Sequence, residues 1–156
     1  MAFEIERKFL VNQQEWSKQI CDESFKIVQG YLHIDSNKVV RIRHQGEEAF
    51  ITVKSKLEGI KRLEFEYPIP LADAQDILEK LVDQKIEKTR HILIFDNKKW
   101  EIDVFEGKLS GLILAEIELD FEDEEVSLPP WLAKEVSHDE RYYNANLIDI
   151  SSIDEL

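Results

Sequence analysis

Apolar and polar residues alternate along much of this sequence with the two-residue period of a β-strand. In the first such segment, residues 3–11, the alternation places Glu4, Glu6 and Lys8 on one face and mostly apolar side chains on the other. The same pattern predicts eight strands, at residues 3–11, 26–34, 38–45, 48–56, 60–69, 88–96, 99–106 and 111–121. Turn-forming sequences separate several of these segments, which favours antiparallel neighbours.

Three other segments have the pattern of a helix. Asn12 is a predicted N-cap for residues 12–21. An apolar stripe predicts a second helix over residues 71–82, and two prolines at the start of residues 129–137 predict a third. The acidic run at residues 120–127 lacks the glycine and ligand spacing of a calcium loop, so it is predicted to be a solvated connection.

Charged residues occupy one face of seven of the eight predicted strands. The basic members of this set are Lys8, Arg41, Arg43, Lys54, Arg62, Lys88 and Arg90. The acidic members are Glu4, Glu6, Glu64, Glu66, Glu101, Asp103, Glu116 and Glu118. The remaining strand presents Gln29, Tyr31 and His33 on one face. A sheet with one solvent-facing side would also alternate in this way, but like charges side by side repel unless something of opposite charge lies between them.

Eight antiparallel strands can close into a barrel, and we predict a closed β-barrel with the charged faces inside and the helices packed outside. The fold class is therefore β-dominated α+β. A charged interior needs a ligand or many waters, because buried unpaired charges are costly. The basic set suits a compact polyanion, and the acidic set suits hard divalent cations with oxygen ligands. A polyphosphate bound with Mg²⁺ or Mn²⁺ satisfies both sets.

Composition narrows the classes of partner and location. The formal net charge of -13 argues against a nucleic-acid binder held by phosphate contacts. The single cysteine, Cys21, excludes an intrachain disulfide and indicates a reducing compartment. No apolar run has transmembrane length, and the first residues have no signal-peptide pattern. We expect one cytoplasmic domain over residues 1–156, with no membrane partner and with a homodimer left open.

At this point the charged pairs resemble a known family. Residues 4–8, Glu-Ile-Glu-Arg-Lys, are similar to the ExExK signature of the CYTH superfamily, the triphosphate tunnel metalloenzymes. The other charged pairs follow in that family's order, and residues 139–144 resemble its C-terminal segment. The resemblance runs from residue 3 to about residue 147. It implies an eight-stranded antiparallel tunnel and metal-dependent chemistry on a triphosphate.

The short chain and the Gln-Gly-Tyr-Leu segment around Tyr31 most resemble the small bacterial inorganic triphosphatases. We expect cleavage of inorganic triphosphate to pyrophosphate and phosphate, with Lys8 contacting a phosphate and Tyr31 as a candidate proton acceptor. The basic set would bind substrate and the acidic set would bind metal. The alternatives are a thiamine triphosphatase, a class IV-type adenylate cyclase acting on ATP, and a polyphosphate-binding module without catalysis.

Overall fold

The computed structural model describes residues 2–17, 19 and 21–156. Its strands are β1 (Phe3–Val11), β2 (Glu23–Ile34), β3 (Lys38–Gln45), β4 (Glu48–Ser55), β5 (Lys61–Pro68), β6 (Lys85–Phe95), β7 (Lys98–Phe105), β8 (Ile113–Glu118) and β9 (Leu132–Glu135). Its α-helices are α1 (Gln13–Trp16), α2 (Leu71–Lys80) and α3 (Asn144–Leu147). Short 3₁₀ helices form at Gly107–Leu109, Glu140–Tyr142 and Ile153–Glu155.

The first eight strands close into an antiparallel barrel. The order around it is β1, β5, β4, β3, β2, β6, β7, β8 and back to β1. The ring closes where residues 3–5 of β1 pair with residues 61–63 of β5. The predicted eight-stranded closed barrel is therefore confirmed.

The predicted helix over residues 129–137 is wrong, because this segment contains the ninth strand. Leu132–Glu135 pairs with the end of β1, beyond the part of β1 that pairs with β5. The backbone groups of β1 need partners there, and an added strand supplies them. Arg7 on β1 also donates two hydrogen bonds to Glu135, of 3.0 and 2.7 Å. The open edge of β1 therefore favours a strand in this segment, although the local sequence favours a helix.

The first helix begins as predicted but is shorter. The Asn12 side chain accepts a hydrogen bond from the backbone N–H of Glu15 at 3.2 Å, which confirms the N-cap. The helix is described as Gln13–Trp16, whereas the prediction extended to residue 21. Positions 18 and 20 of that prediction lie outside the described residues.

Helices and loops cover the apolar outside of the barrel. Ala74 and Leu78 of α2 pack with Val82 on Ile42 of β3 and Ala49 of β4. A second outer cluster is built around tryptophans and consists of Ile5, Phe9, Trp16, Trp100, Ile102, Ile113, Ala115, Ile117, Leu119 and Trp131. The charged side chains are therefore left to the inside.

Gly30 lets α2 approach the barrel closely. A Cβ built on Gly30 would lie 2.4 Å from Cγ1 of Val82, which is closer than two non-bonded carbon atoms can approach. A side chain at this position of β2 would push the end of the helix away from the sheet. Glycine here allows the outer apolar face to be covered.

A β-bulge near the end of β2 changes which side chains face inward. The register shifts between Tyr31 and His33, so that His33 lies opposite Val40 of β3. The prediction that His33 shares a face with Gln29 and Tyr31 is therefore wrong. Ile34 lines the interior instead. One extra residue reverses the alternation that follows it.

The acidic run at residues 120–127 is mostly exposed, as predicted for a solvated connection. Within it Glu124 accepts a hydrogen bond of 2.5 Å from Lys98 Nζ. No helix among the described residues is long and apolar enough to cross a membrane.

Candidate active site

The barrel encloses a cavity of about 960 Å³ lined mainly by charged side chains. Arg41, Lys54, Glu64, Arg90 and Glu118, which come from five different strands, all line it. The prediction that the charged faces point into one enclosed space is therefore confirmed. Of the sixteen residues predicted for the site, Asp103 alone does not line the cavity; it lies buried within the wall.

Glu4 is held by cations from two neighbouring strands. Lys54 Nζ lies 2.9 Å from Glu4 Oε2, and Arg62 Nε lies 3.3 Å from Glu4 Oε1. Burial on its own would raise the pKa of Glu4, but Lys54, a hydrogen bond with Glu64, and Arg62 together hold that pKa well below its usual range. Glu4 is thus an ionised, buried carboxylate whose charge is compensated.

Glu64 and Glu4 act as a carboxyl pair around Lys54. Lys54 Nζ lies 3.1 Å from Glu64 Oε2. Burial and the hydrogen bond to Glu4 raise the pKa of Glu64 to about 7. Near neutral pH one proton therefore resides on Glu64 for part of the time, and a bound cation would displace it.

The wall between β6 and β7 contains a buried cluster around Asp103. Arg90 donates to both carboxylate oxygens of Asp103, at 2.8 and 2.9 Å, and Lys88 Nζ lies 2.7 Å from Oδ2. Arg90 also pairs with Glu101 at 2.7 Å. Because Asp103 is fully buried and both of its oxygens are occupied, it positions two cations. This arrangement argues against the predicted metal role of Asp103.

A carboxylate cluster lies between β1 and β8. Glu6 is directly opposite Glu118 in the register, and Lys8 is opposite Glu116. Burial, together with the charges of Glu116 and Glu4, raises the pKa of Glu6 to about 8. Burial, Glu4 and Glu101 likewise raise the pKa of Glu118. These carboxyl groups repel one another, so they can accept added positive charge.

Lys8 is the cation of this cluster. Its Nζ lies 3.4 Å from Oε1 of Glu116 and donates to the backbone carbonyl of Tyr142 at 3.2 Å. Burial would lower the pKa of Lys8, but Glu116 and Glu6 outweigh it and raise that pKa. Lys8 is therefore charged at neutral pH, as a phosphate ligand must be.

Arg43 differs from the other buried cations of the cavity. It has no ion pair among the described residues; its Nε donates to the neutral Gln29 Oε1 at 3.4 Å. Burial, and the charges of Arg41 and Arg90, lower the pKa of Arg43 to about 9. By contrast, Arg41 contacts Glu66 at 3.3 Å. A buried, uncompensated arginine facing a cavity is typical of an anion site.

Tyr31 lines the cavity as predicted and lies opposite Arg41 in the register. Burial raises the pKa of the Tyr31 hydroxyl, although Arg41, Arg43, Lys8 and Arg62 oppose the shift. The nearby arginines alone would lower the pKa of Tyr31. In the structure desolvation exceeds their effect, so Tyr31 is protonated at neutral pH.

Several residues of the cavity were not predicted as site residues. Asn144, Tyr143 and Ser137 come from the C-terminal segment. Gln29 of β2 is fully buried and does not line the cavity, but it contacts Asn144 and Arg43, which do. Asn144 Oδ1 accepts hydrogen bonds from Lys88 Nζ and Gln29 Nε2. The resemblance of residues 139–144 to a family segment was the available signal, but it did not indicate that this segment contacts the cavity.

The chemistry of the carboxylate cluster fits a hard divalent cation. Glu4, Glu6, Glu116 and Glu118 could offer carboxylate oxygens from adjacent strands, and an ion would relieve their mutual repulsion. Among the described residues no three acidic side chains are already grouped closely enough to coordinate one ion. Side-chain rotation away from the present lysine and arginine partners would therefore accompany metal binding.

The fold and the cavity define a class of protein, a closed antiparallel barrel whose interior is built from opposed cationic and carboxylate side chains. Residues 2–146 match the CYTH domain model, and the chain belongs to the CYTH domain family. The resemblance inferred from the charged pairs is thereby confirmed.

Similar proteins cover nearly the whole chain. An inorganic triphosphatase of Acetivibrio thermocellus is 40% identical over 149 residues, covering 95% of this chain and 94% of that protein. An inorganic triphosphatase of Nitrosomonas europaea is 36% identical over 148 residues, covering 92% and 95%. A crystal structure of an inorganic triphosphatase superposes with a TM-score of 0.65 at 35% identity, covering 95% of each chain.

Proposed function

We propose that this protein hydrolyses inorganic triphosphate to pyrophosphate and phosphate inside the barrel. The observation that carries the proposal is the buried Arg43, which lines the same cavity as the carboxylate cluster and has no ion pair among the described residues. A compact anion with charge on every phosphate would satisfy the cations, and its bound metal would satisfy the carboxylates. The names of the two relatives, at 40% and 36% identity, support the same activity.

The cationic side chains would bind the non-bridging oxygens of the substrate. They are Lys8, Arg41, Arg43, Lys54, Arg62, Lys88 and Arg90. Breaking the terminal phosphoanhydride bond moves negative charge onto the leaving pyrophosphate, and fixed cations inside the barrel stabilise that charge. Asp103, which is not a proposed metal ligand, holds Lys88 and Arg90, so these two cations need little reorganisation during the reaction.

We propose Mg²⁺ or Mn²⁺ as the cofactor, with Glu4, Glu6, Glu116 and Glu118 as its main ligands. Glu64, Glu66 and Glu101 line the same cavity and complete the candidate set. When bound, such an ion neutralises phosphate charge and lowers the pKa of a water molecule for attack on phosphorus. The ligands would lose the protons that burial and neighbouring carboxyl groups now retain on Glu6 and Glu64.

Lys8 and Tyr31 are the proposed catalytic residues. Lys8 is charged and buried beside Glu116, so it can neutralise charge on a phosphate in the transition state. Tyr31 would serve as proton acceptor only if bound metal lowered its pKa, because burial raises that pKa here. A Tyr31→Phe variant tests this role directly.

The cavity favours triphosphate over a nucleotide. Four phenylalanine and tyrosine side chains line the cavity, namely Phe25, Tyr31, Phe50 and Tyr143. Phe105 packs in an apolar cluster with residues of the C-terminal segment, and Lys88 Nζ lies 5.3 Å from its ring centroid. A nucleoside prefers a flat apolar slot with a few placed hydrogen-bonding groups, whereas this lining is mostly charged. A cytoplasmic location and a homodimer stay predictions from the sequence.

Steady-state rates with inorganic triphosphate, ATP and thiamine triphosphate, each with Mg²⁺ and with Mn²⁺, test the proposal. We expect the highest kcat/KM for triphosphate, release of one phosphate per substrate, and no activity in EDTA. A kcat/KM for ATP or thiamine triphosphate equal to that for triphosphate would overturn the substrate assignment. If the protein binds triphosphate tightly but turns over none of the three substrates with either metal, it is instead a binding module.

A further inference from the structure

The C-terminal segment contacts the cationic side of the cavity through Asn144. The Oδ1 atom of Asn144 accepts one hydrogen bond from Lys88 Nζ at 3.0 Å and another from Gln29 Nε2 at 3.1 Å. The Oε1 atom of Gln29 accepts from Arg43 Nε at 3.4 Å. A continuous chain of hydrogen bonds therefore joins Arg43 on β3 to Lys88 on β6 through two amides.

The two cations fix the direction of this chain. Arginine and lysine side chains donate hydrogen bonds and cannot accept them. Arg43 therefore selects the oxygen of Gln29, which leaves the Gln29 amide nitrogen to donate toward Asn144. Lys88 likewise selects the oxygen of Asn144. The oxygen and nitrogen of each amide therefore have a single assignment, and each cation is held by an amide oxygen.

Neutral acceptors hold a cation without cancelling its charge. Gln29 is fully buried, and Lys88 is 1% exposed, so water does not supply these contacts. Carboxylates hold the other cations: Asp103 pairs with Arg90 and also with Lys88, and Glu4 pairs with Lys54. Among the described residues Arg43 is bound only by an amide, and it retains its full charge for an incoming anion.

We propose that Asn144, acting with Gln29, is a positioning residue that aims Arg43 and Lys88 at the phosphates of the substrate. The inference rests on the proposed function, because it assumes that these two cations bind triphosphate. It assigns to the C-terminal segment a part in substrate affinity as well as in folding.

Asn144→Asp is the discriminating variant. It keeps the size and the acceptor oxygen, but it adds a negative charge between the two cations. We expect the KM for triphosphate to rise about tenfold, since charge-assisted contacts to substrate weaken, while kcat changes by less than about threefold. Calorimetric binding of triphosphate in EDTA should weaken by a similar factor. Asn97→Asp adds the same charge at an exposed turn residue outside the cavity lining, and should leave KM within about twofold of wild type.

A purely structural Asn144 would give a different result. If it only attached the C-terminal segment, Asn144→Asp would alter the melting temperature without changing KM or triphosphate binding, and that outcome overturns the inference. Equal effects of Asn144→Asp and Asn97→Asp on KM would also overturn it.

Gln29→Glu tests the chain from the barrel side if Asn144→Asp does not fold. It pairs with Arg43 and repels the Asn144 oxygen, so KM should rise here too; an unchanged KM contradicts the proposal. A wild-type protein that neither binds nor cleaves triphosphate would instead show that the proposed function is wrong.

Discussion

Arg90 and Asp103 face each other across β6 and β7 and form two parallel hydrogen bonds, of 2.8 and 2.9 Å, inside the barrel wall. The pair is almost completely buried, and Lys88 joins it at 2.7 Å. One carboxylate thus holds two of the cations that line the cavity. Asp103 is fully buried and does not line the cavity, which separates it from the carboxylates that could bind metal.

Asp103→Asn should therefore destabilise the fold. Removing one partner of a buried ion pair leaves uncompensated charge, here on Lys88 and Arg90, and costs about 3–5 kcal/mol. Urea denaturation of the metal-free protein measures the loss. The exposed Asp83→Asn should change stability by less than about 0.5 kcal/mol. A metal-ligand role for Asp103 would predict the opposite result, a stable variant that no longer binds Mn²⁺.

Glu118→Gln should abolish turnover and leave the fold intact. Glu118 faces the cavity and has no ion pair among the described residues, so its loss removes a candidate metal ligand without unpairing a cation. We expect kcat/KM to fall at least about 100-fold at low Mg²⁺, with an unchanged melting temperature in EDTA. The exposed Glu125→Gln is the matched control. Full activity of Glu118→Gln at low Mg²⁺ would remove this residue from the ligand set.

Glu4→Gln is expected to behave differently from Glu118→Gln. Glu4 is a candidate ligand, but it also compensates Lys54 and Arg62 at 2.9 and 3.3 Å. Its replacement should reduce both activity and stability, so the two variants separate metal binding from charge compensation.

Much of this barrel could be predicted from the sequence, because its interior is charged. In an ordinary barrel the inward face is apolar, so its residues do not indicate what the interior binds. Here the alternation in residues such as Arg41 and Arg43 indicates both the strand and the side that faces in. The cavity and its two classes of ligand follow from that alternation.

The features that could not be predicted depend on contacts distant in sequence. Nothing local marks the bulge before His33, which reverses the facing of the residues after it. Residues 132–135 have helix signals nearby, yet they form a strand because β1 offers an open edge. Asn144 reaches Gln29 across 115 positions of sequence, a contact that only the closed barrel creates.

Stability of the metal-free protein should decrease as the pH rises from about 5 to 7. The pKa of Glu6 is raised to about 8 in the folded state from a reference value of 4.5. Between these values the folded protein retains a proton that the unfolded chain has lost, so raising the pH favours unfolding. The slope is at most about 1.4 kcal/mol per pH unit for one proton. Glu64, with a pKa of about 7, acts in the same direction.

Glu6→Gln isolates the contribution of Glu6 to this pH dependence. The variant cannot titrate at position 6, so its metal-free stability should fall less steeply than that of wild type over the same range. Urea denaturation at several pH values in EDTA gives both slopes. Parallel slopes for the two proteins would show that Glu6 has an ordinary pKa in the folded state.

Arg43→Gln should stabilise the protein while it weakens substrate binding. Burial and the neighbouring charges of Arg41 and Arg90 lower the pKa of Arg43 to about 9, which means that the fold tolerates this charge at a cost. At neutral pH the guanidinium is charged in both the folded and the unfolded states, so the cost is fully present. A neutral glutamine removes it, and we expect a melting temperature several degrees higher in metal-free buffer. The same change removes a cation that would contact phosphate, so kcat/KM for triphosphate should fall at least about tenfold.

Arg62→Gln provides the matched comparison, because Arg62 compensates Glu4 at 3.3 Å and its loss should lower the melting temperature. If Arg43→Gln were less stable than wild type, Arg43 would be a structural residue, and the cavity would lack the uncompensated charge on which the anion site depends.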